Sequence, residues 1–222
     1  MKKPIWLFIP LLIACNNENP QPSRRGAASA TRTAASPSVF ITPPFTFDYQ
    51  QQKKRCQELF ALHRQKRKPD TERKLITYIT DSLVPCWYGT PWDFNGTTQV
   101  PGEGKIACGY FVTTTLRDAG MKIDRVKMAQ CVSQNLVYDM CGDFKKFSNK
   151  PLDYFVNTVK KSGFGLYIVG LDNHTGYIYH DGNEVWFIHS GVLAPRCALK
   201  EKAIESETLR RSAYRVVGRI RW

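Results

Sequence analysis

The sequence is short of several features that would place it in a specialised class. It has no apolar run of about 18 residues, which is the length that a membrane-spanning helix requires. Seven cysteines in 222 residues are too few for a dense disulfide scaffold, and there are no internal repeats. Acidic residues are scarce, with 19 Asp or Glu against 32 Lys or Arg. What remains is a basic chain of net charge +13 whose 42% apolar content is too high for a disordered protein.

The N-terminal 15 residues have the pattern of a targeting segment. Lys2 and Lys3 precede an apolar stretch that is too short to span a membrane. The segment ends in Leu-Ile-Ala-Cys at residues 12–15, which resembles the bacterial lipobox. We therefore predict a lipoprotein signal peptide over residues 1–15, lipidation of Cys15, and a membrane-anchored protein on the periplasmic or surface side of the bacterial cell envelope. An ordinary signal peptide with a chance cysteine is the alternative.

Two further segments precede the main domain. Residues 16–46 are rich in Pro, Ser, Ala and Thr without apolar periodicity, which predicts a flexible tether. Residues 47–83 form a basic helical arm with predicted helices over 48–67 and 70–83. Residues 53–74 of this arm carry nine Lys or Arg against three Asp or Glu. This charge indicates either a solvated helical face or a surface for anionic glycan or lipid head groups. Nucleic acid is not an expected partner, because the signal peptide directs the chain out of the cytoplasm.

Residues 84–222 are predicted to form an α+β domain of helices packed on an antiparallel sheet. An aromatic-rich loop over 85–106 leads into a buried helix that begins near Cys108 and ends at Gly120. Further helices are predicted over 125–140 and 151–161. After Gly163 the apolar period becomes two, and this predicts strands over 165–171, 174–180, 183–190 and 212–222.

The strongest functional pattern combines one cysteine with two histidines. Asp181-Gly182 is typical of a two-residue type I′ hairpin, in which His174 would lie directly opposite His189 on a core-facing side. Cys108 at a helix start would have its thiol pKa lowered by unpaired N–H groups. Catalysis by cysteine also needs a histidine to move the proton and a polar group to orient it. Cys108, His174 and His189 supply these three parts, although a buried cysteine is often only a small apolar side chain.

The motifs around these residues resemble the NlpC-type cell-wall cysteine peptidases of the papain-like superfamily. The resemblance covers residues 84–190 through Trp-Tyr-Gly at 87–89, Ala-Cys-Gly-Tyr-Phe at 107–111, His-Thr-Gly-Tyr-Ile-Tyr at 174–179 and Phe-Ile-His-Ser at 187–190. It implies a papain-like fold, an amide hydrolase acting on peptidoglycan stem peptides, and Tyr88 near the nucleophile. The aromatic rings of the loop before Cys108 form either a local core or a substrate wall. In the second case Trp87, Trp92 and Phe94 are predicted to wall the substrate cleft, together with Gly109 beside the nucleophile. No cofactor is implied, and no metal is expected because the histidines lack zinc-ligand spacing.

Two other functions are compatible with the same motifs. The chain could be a catalytically inactive envelope lipoprotein that binds cell wall or a partner protein. It could also be an acyltransferase that uses the same three residues.

Overall fold

The computed structural model describes residues 39–41 and 48–222. The predicted signal peptide, Cys15 and most of the predicted tether lie outside these residues. The described residues all belong to one compact unit. None of the helices within them combines the length and the apolar character needed to cross a membrane.

A seven-stranded antiparallel sheet forms the centre of the domain, with strand order β1-β6-β5-β4-β3-β7-β2. Strands β3 to β6 follow one another as a meander, and β7 returns to pair with β3. The strands are β1 (Val39–Phe40), β2 (Cys141–Ser148), β3 (Gly165–Leu171), β4 (Thr175–His180), β5 (Val185–Ser190), β6 (Ala198–Lys202) and β7 (Tyr214–Ile220).

Helices cover both faces of this sheet. They are α1 (Tyr49–Lys66), α2 (Pro69–Tyr78), α3 (Cys108–Asp118), α4 (Arg125–Ala129), α5 (Ser133–Met140), α6 (Leu152–Lys161) and α7 (Glu207–Arg211). Helix α2 continues through a π turn over Ile79–Leu83 into a 3₁₀ turn over Val84–Trp87. Asp48 begins α1 as its N-cap, because its side chain accepts from the N–H groups of Gln50 and Gln51.

The alternation of side chains along the strands divides the core into two clusters. On one face, Ile168, Tyr177 and Ile188 pack with apolar residues of α2, α3 and α5. On the other face, Ile178 and Phe187 pack with the apolar stripe of α6. The central strands are therefore buried on both sides, which explains why residues 165–171 are continuously apolar.

The predicted register of the β4–β5 hairpin is wrong by two residues. The observed pairs are Tyr177 with Ile188 and His180 with Val185, which leaves a four-residue loop over 181–184. The Asp181 carboxylate stabilises this loop by accepting from the backbone N–H groups of Asn183 and Glu184 at 2.7 and 2.8 Å. A shift of two residues keeps each side chain on its face, so His174 and His189 still share one side of the sheet.

Other differences concern element boundaries. The helix predicted over 125–140 is interrupted at residues 130–132, where no Gly or Pro signals a break. The second helix begins at Ser133, which lies against β3. The Ser133 hydroxyl donates to the Leu171 carbonyl at 2.5 Å. Strands β2 and β6 were not predicted, because their polar residues conceal the period of two. Strand β1 lies within the segment predicted as tether.

Candidate active site

Cys108 is the first residue of α3, a helix whose side chains are almost all buried. Ala107 occupies the N-cap position and offers no side chain to the first N–H groups of the helix. The Ser190 hydroxyl on β5 donates to the carbonyl of Ile106 at 2.7 Å. This bond fixes the entry to α3 against the strand that also carries His189.

His174 and His189 form the central contact of the site. Nε2 of His174 lies 2.8 Å from Nδ1 of His189, and both rings are buried. The rings are nearly perpendicular, with an interplanar angle of 87°. Nδ1 of His174 makes no hydrogen bond within the described residues, which leaves that nitrogen for a reacting group.

Packing holds the two rings in place. The Phe187 ring stacks on His189 with centroids 3.9 Å apart and contacts the edge of His174 at 6.2 Å. Gly176 provides the necessary space, since a Cβ at this position would lie 2.8 Å from Cβ of His189. A glycine two residues after His174 is therefore a steric requirement of the pair.

Cys108 and His174 line the same cavity, whose volume is about 790 Å³. This volume lies in the range of pockets that hold small ligands or a short segment of a larger one. Trp92, Phe94 and Gly109, three of the predicted substrate-binding residues, also line it. Phe94 is 80% exposed at the rim, so its ring is available to an incoming ligand. The indole Nε1 of Trp92 is buried without a hydrogen-bond partner among the described residues, which leaves a donor on this wall.

Trp87 and Tyr88 do not line the cavity, so their predicted roles need correction. Trp87 is fully buried, donates from Nε1 to the Tyr49 hydroxyl at 3.1 Å and packs edge-on against Phe111. Tyr88 lies in the same core cluster, where burial raises the pKa of its hydroxyl. Both are core residues at the end of the 3₁₀ turn over Val84–Trp87, where Trp87 is the last residue and Tyr88 the C-cap.

The protonation state of Cys108 also differs from expectation. Burial raises the thiol pKa, and this outweighs the lowering by nearby backbone N–H groups of Thr175 and Gly109. Burial, with a smaller contribution from His189, holds the pKa of His174 well below its usual range. The resting site thus contains a neutral thiol and a neutral imidazole, rather than the thiolate expected from a helix start alone.

Two site residues were missed by sequence reasoning. Glu201 on β6 places Oε1 3.3 Å from Nε2 of His189. Asp172, just before His174, accepts from the Ser212 hydroxyl and from the N–H groups of Ala213 and Tyr214 at 2.7–3.1 Å. Neither contact has a local sequence signal, because both depend on strands that are distant in the chain.

The remaining histidines lie outside the cavity lining. His180 is buried on β4, and neither ring nitrogen has a partner among the described residues. His63 on α1 has Nδ1 3.0 Å from the Thr71 hydroxyl, a contact that joins α1 to α2. Neither histidine competes with His174 for Cys108.

The six cysteines within residues 48–222 are all free thiols: Cys56, Cys86, Cys108, Cys131, Cys141 and Cys197. In this same part of the chain, no group of three or more His, Cys, Asp or Glu side chains is arranged to hold a metal ion. Two of these thiols, Cys108 and Cys131, line the cavity together with His174 and the carboxylate of Asp172.

Comparisons with protein-family models, curated proteins and solved structures find no match for this chain.

Proposed function

We propose that the chain is a cysteine hydrolase that cleaves amide bonds, with Cys108 as nucleophile and His174 as general base. One observation carries this proposal: Cys108, at an uncapped helix start, shares a cavity with a histidine that is hydrogen-bonded to a second histidine at 2.8 Å. This is the nucleophile, base and orienting group that covalent acyl transfer requires.

The proposed reaction proceeds through a thioester. The Cys108 sulfur attacks the amide carbonyl carbon while its proton passes to Nδ1 of His174. The intermediate oxyanion is stabilised by the backbone N–H of Cys108 at the start of α3. The C–N bond then breaks, and His174 returns the proton to the leaving amine. Water attacks the thioester with His174 again accepting a proton, which releases a carboxylic acid and restores the thiol.

The neutral resting pair fits a general-base mechanism. Because His174 is neutral, its free nitrogen is able to accept the thiol proton as attack begins. His189 keeps the ring of His174 in one orientation through the Nε2–Nδ1 hydrogen bond. No thiolate has to exist before substrate enters.

The proposed substrate is the stem peptide of peptidoglycan, and the proposed fold family is the papain-like NlpC type. The ordered motifs over residues 84–190 support both, as does the mixed α+β architecture with its antiparallel sheet. The predicted lipidation of Cys15 supports a position in the bacterial cell envelope, where this polymer lies. The cavity carries both apolar and polar lining, which suits a short peptide attached to glycan.

Digestion of purified cell wall tests the proposal. The wild-type chain is expected to release muropeptides with new amino and carboxyl termini, and Cys108→Ala is expected to lower the rate about 10⁶-fold. Cys86→Ala is the matched control, because Cys86 is a half-buried thiol outside the cavity lining. Equal product release by wild type and Cys108→Ala, or no release by either, would rule out the hydrolase.

A further inference from the structure

The second histidine has a partner on the next strand. Oε1 of Glu201 lies 3.3 Å from Nε2 of His189, and the Glu201 side chain is only 17% exposed. Glu201 pairs directly with Phe187 across β5 and β6, so its side chain lies on the same face as that of His189. A carboxylate therefore extends the hydrogen-bonded pair of His174 and His189.

Glu201 is held as a charged group by its surroundings. Burial acts to raise the pKa of its carboxyl, but hydrogen bonds from His189 and Ser206 outweigh that effect and lower it. His189 is its only ion-pair partner within residues 39–41 and 48–222. The facing residue on β1 is Val39, which adds no charge. At neutral pH the site thus contains a carboxylate directed at one histidine nitrogen.

A carboxylate accepts hydrogen bonds and cannot donate them, so Nε2 of His189 must carry the proton between the two groups. In a neutral imidazole the other nitrogen, Nδ1, is then an acceptor. The 2.8 Å contact to Nδ1 of His189 requires a donor, which is Nε2–H of His174. Nδ1 of His174 is consequently left without a proton.

We propose that Glu201 is a positioning residue that sets the tautomers of both histidines, so that Nδ1 of His174 is the nitrogen free to take the Cys108 proton. This inference deepens the proposed function and rests on it. Glu201 does not contact the reacting atoms. It acts through His189 and His174, and without it His189 would have no fixed proton position.

Nitrogen-15 NMR of the imidazoles in the resting full-length protein tests the tautomers directly. In the wild type we expect protonated Nε2 and unprotonated Nδ1 on both His174 and His189, with single-histidine variants used for assignment. Glu201→Ala is expected to give a mixture of tautomers at His189. A single, unchanged tautomer in Glu201→Ala would overturn the proposal.

The kinetics of cell-wall digestion supply the second readout. Glu201→Ala is expected to lower kcat about 10–100-fold with little change in KM, as when the carboxylate behind a functional histidine is removed. Glu201→Gln keeps an acceptor oxygen and is expected to recover part of this loss. Glu205→Gln is the matched control, because Glu205 is exposed and forms no ion pair among the described residues. Wild-type kcat in Glu201→Ala would overturn the proposal.

The two readouts separate this inference from the proposed function. Suppose that the wild type releases no muropeptides, that it shows the expected tautomers, and that Glu201→Ala gives a mixture of them. The proposed hydrolase activity then fails, whereas the role of Glu201 in setting the tautomers stands. If the wild type is active and Glu201→Ala changes neither the NMR signals nor kcat, the role of Glu201 fails and the hydrolase stands. Should Glu201→Ala not fold, Glu201→Leu, which fills more of the same space and also lacks an acceptor, carries both measurements.

Discussion

At the scale of single residues, the geometry of the site depends on glycines, such as Gly109 and Gly176, at which a Cβ would overlap a neighbouring atom. Gly109 follows Cys108, the proposed nucleophile, and a Cβ there would lie 2.3 Å from the carbonyl oxygen of Ala129. The backbone of α4 therefore contacts the first turn of α3 directly. Alanine at this position would separate the two helices and move Cys108 relative to His174.

We predict that Gly109→Ala destabilises the domain by about 1–3 kcal/mol through this overlap. It should also lower cell-wall hydrolysis by more than the loss of folded protein explains. Thermal unfolding and activity at a temperature where the variant is folded measure the two effects. Gly142→Ala is the control, because a Cβ there meets only the Arg221 side chain at 3.5 Å. Equal stability of the two variants would contradict the prediction.

The three residues of the proposed site were found from the sequence because each has a local signal. Cys108 precedes a buried helical pattern, and His174 and His189 flank a hairpin signal at Asp181. Glu201 could not be found in this way, since its role appears only when β6 pairs with β5. Trp87 and Tyr88 were misplaced because an aromatic loop residue has the same sequence signature in a cleft wall as in a core.

At the scale of elements, the loop between β3 and β4 links the site to the last strand. The Asp172 carboxylate accepts from the Ser212 hydroxyl at 3.0 Å and from the Ala213 and Tyr214 N–H groups at 2.7 and 3.1 Å. These bonds hold the segment that carries His174 against the start of β7. The position of His174 therefore depends on a strand about 40 residues later in the chain.

We predict that Asp172→Ala costs about 1–2 kcal/mol, because three donors lose their acceptor at a solvent-accessible position. This should lower the melting temperature by about 2–8 °C in a domain of this size. It should also raise hydrogen exchange at Ala213 and Tyr214. Asp143→Ala is the control, since Asp143 is exposed and its side chain accepts no hydrogen bond among the described residues. Unchanged exchange at both amides would refute the role of Asp172.

The helices and strands also show where sequence patterns are sufficient to predict secondary structure. Helices α1, α2, α3 and α6 and strands β3, β4, β5 and β7 were predicted, because each has a clear apolar pattern, which is periodic in most of them and continuous in β3. The break at residues 130–132 has no such signal, since it arises from contact of Ser133 with β3. The hairpin register was wrong because the Asp181 side chain builds a longer loop than Asp-Gly usually forms.

At the scale of the whole molecule, buried titratable groups fix how stability depends on pH. His174 and His189 have lowered pKa values, mainly through burial, so the unfolded chain binds more protons than the folded one below about pH 6.5. The thiols of Cys56 and Cys141 have pKa values raised to about 12 by burial, so the unfolded chain loses protons first above about pH 9. Both effects lower stability away from neutrality.

We predict a plateau of stability between about pH 7 and pH 8.5, with a decline on each side. On the acid side each additional proton bound by the unfolded chain contributes a slope of about 1.4 kcal/mol per pH unit. Asp118, whose pKa is lowered by Arg117, Tyr49 and Lys53 against the opposing effect of burial, adds to the acid decline below about pH 4. Melting temperatures from pH 3 to pH 10 measure the profile. A melting temperature that is constant or rising from pH 7 to pH 5 would contradict it.

The pairing of β1 with β6 has a mechanical consequence. Two residues, Val39 and Phe40, join the edge of the sheet, and a ladder this short is worth only about 1–3 kcal/mol. If Cys15 is the lipid anchor, tension along the chain is borne first by this ladder, because it lies between the anchor and α1. Release of β1 would add residues 39–47 to the segment that connects the anchor to the domain. The maximum extended length of that segment would increase by at most about 30 Å. The distance between the membrane and the domain would then have two values, and tension on the chain would favour the longer one.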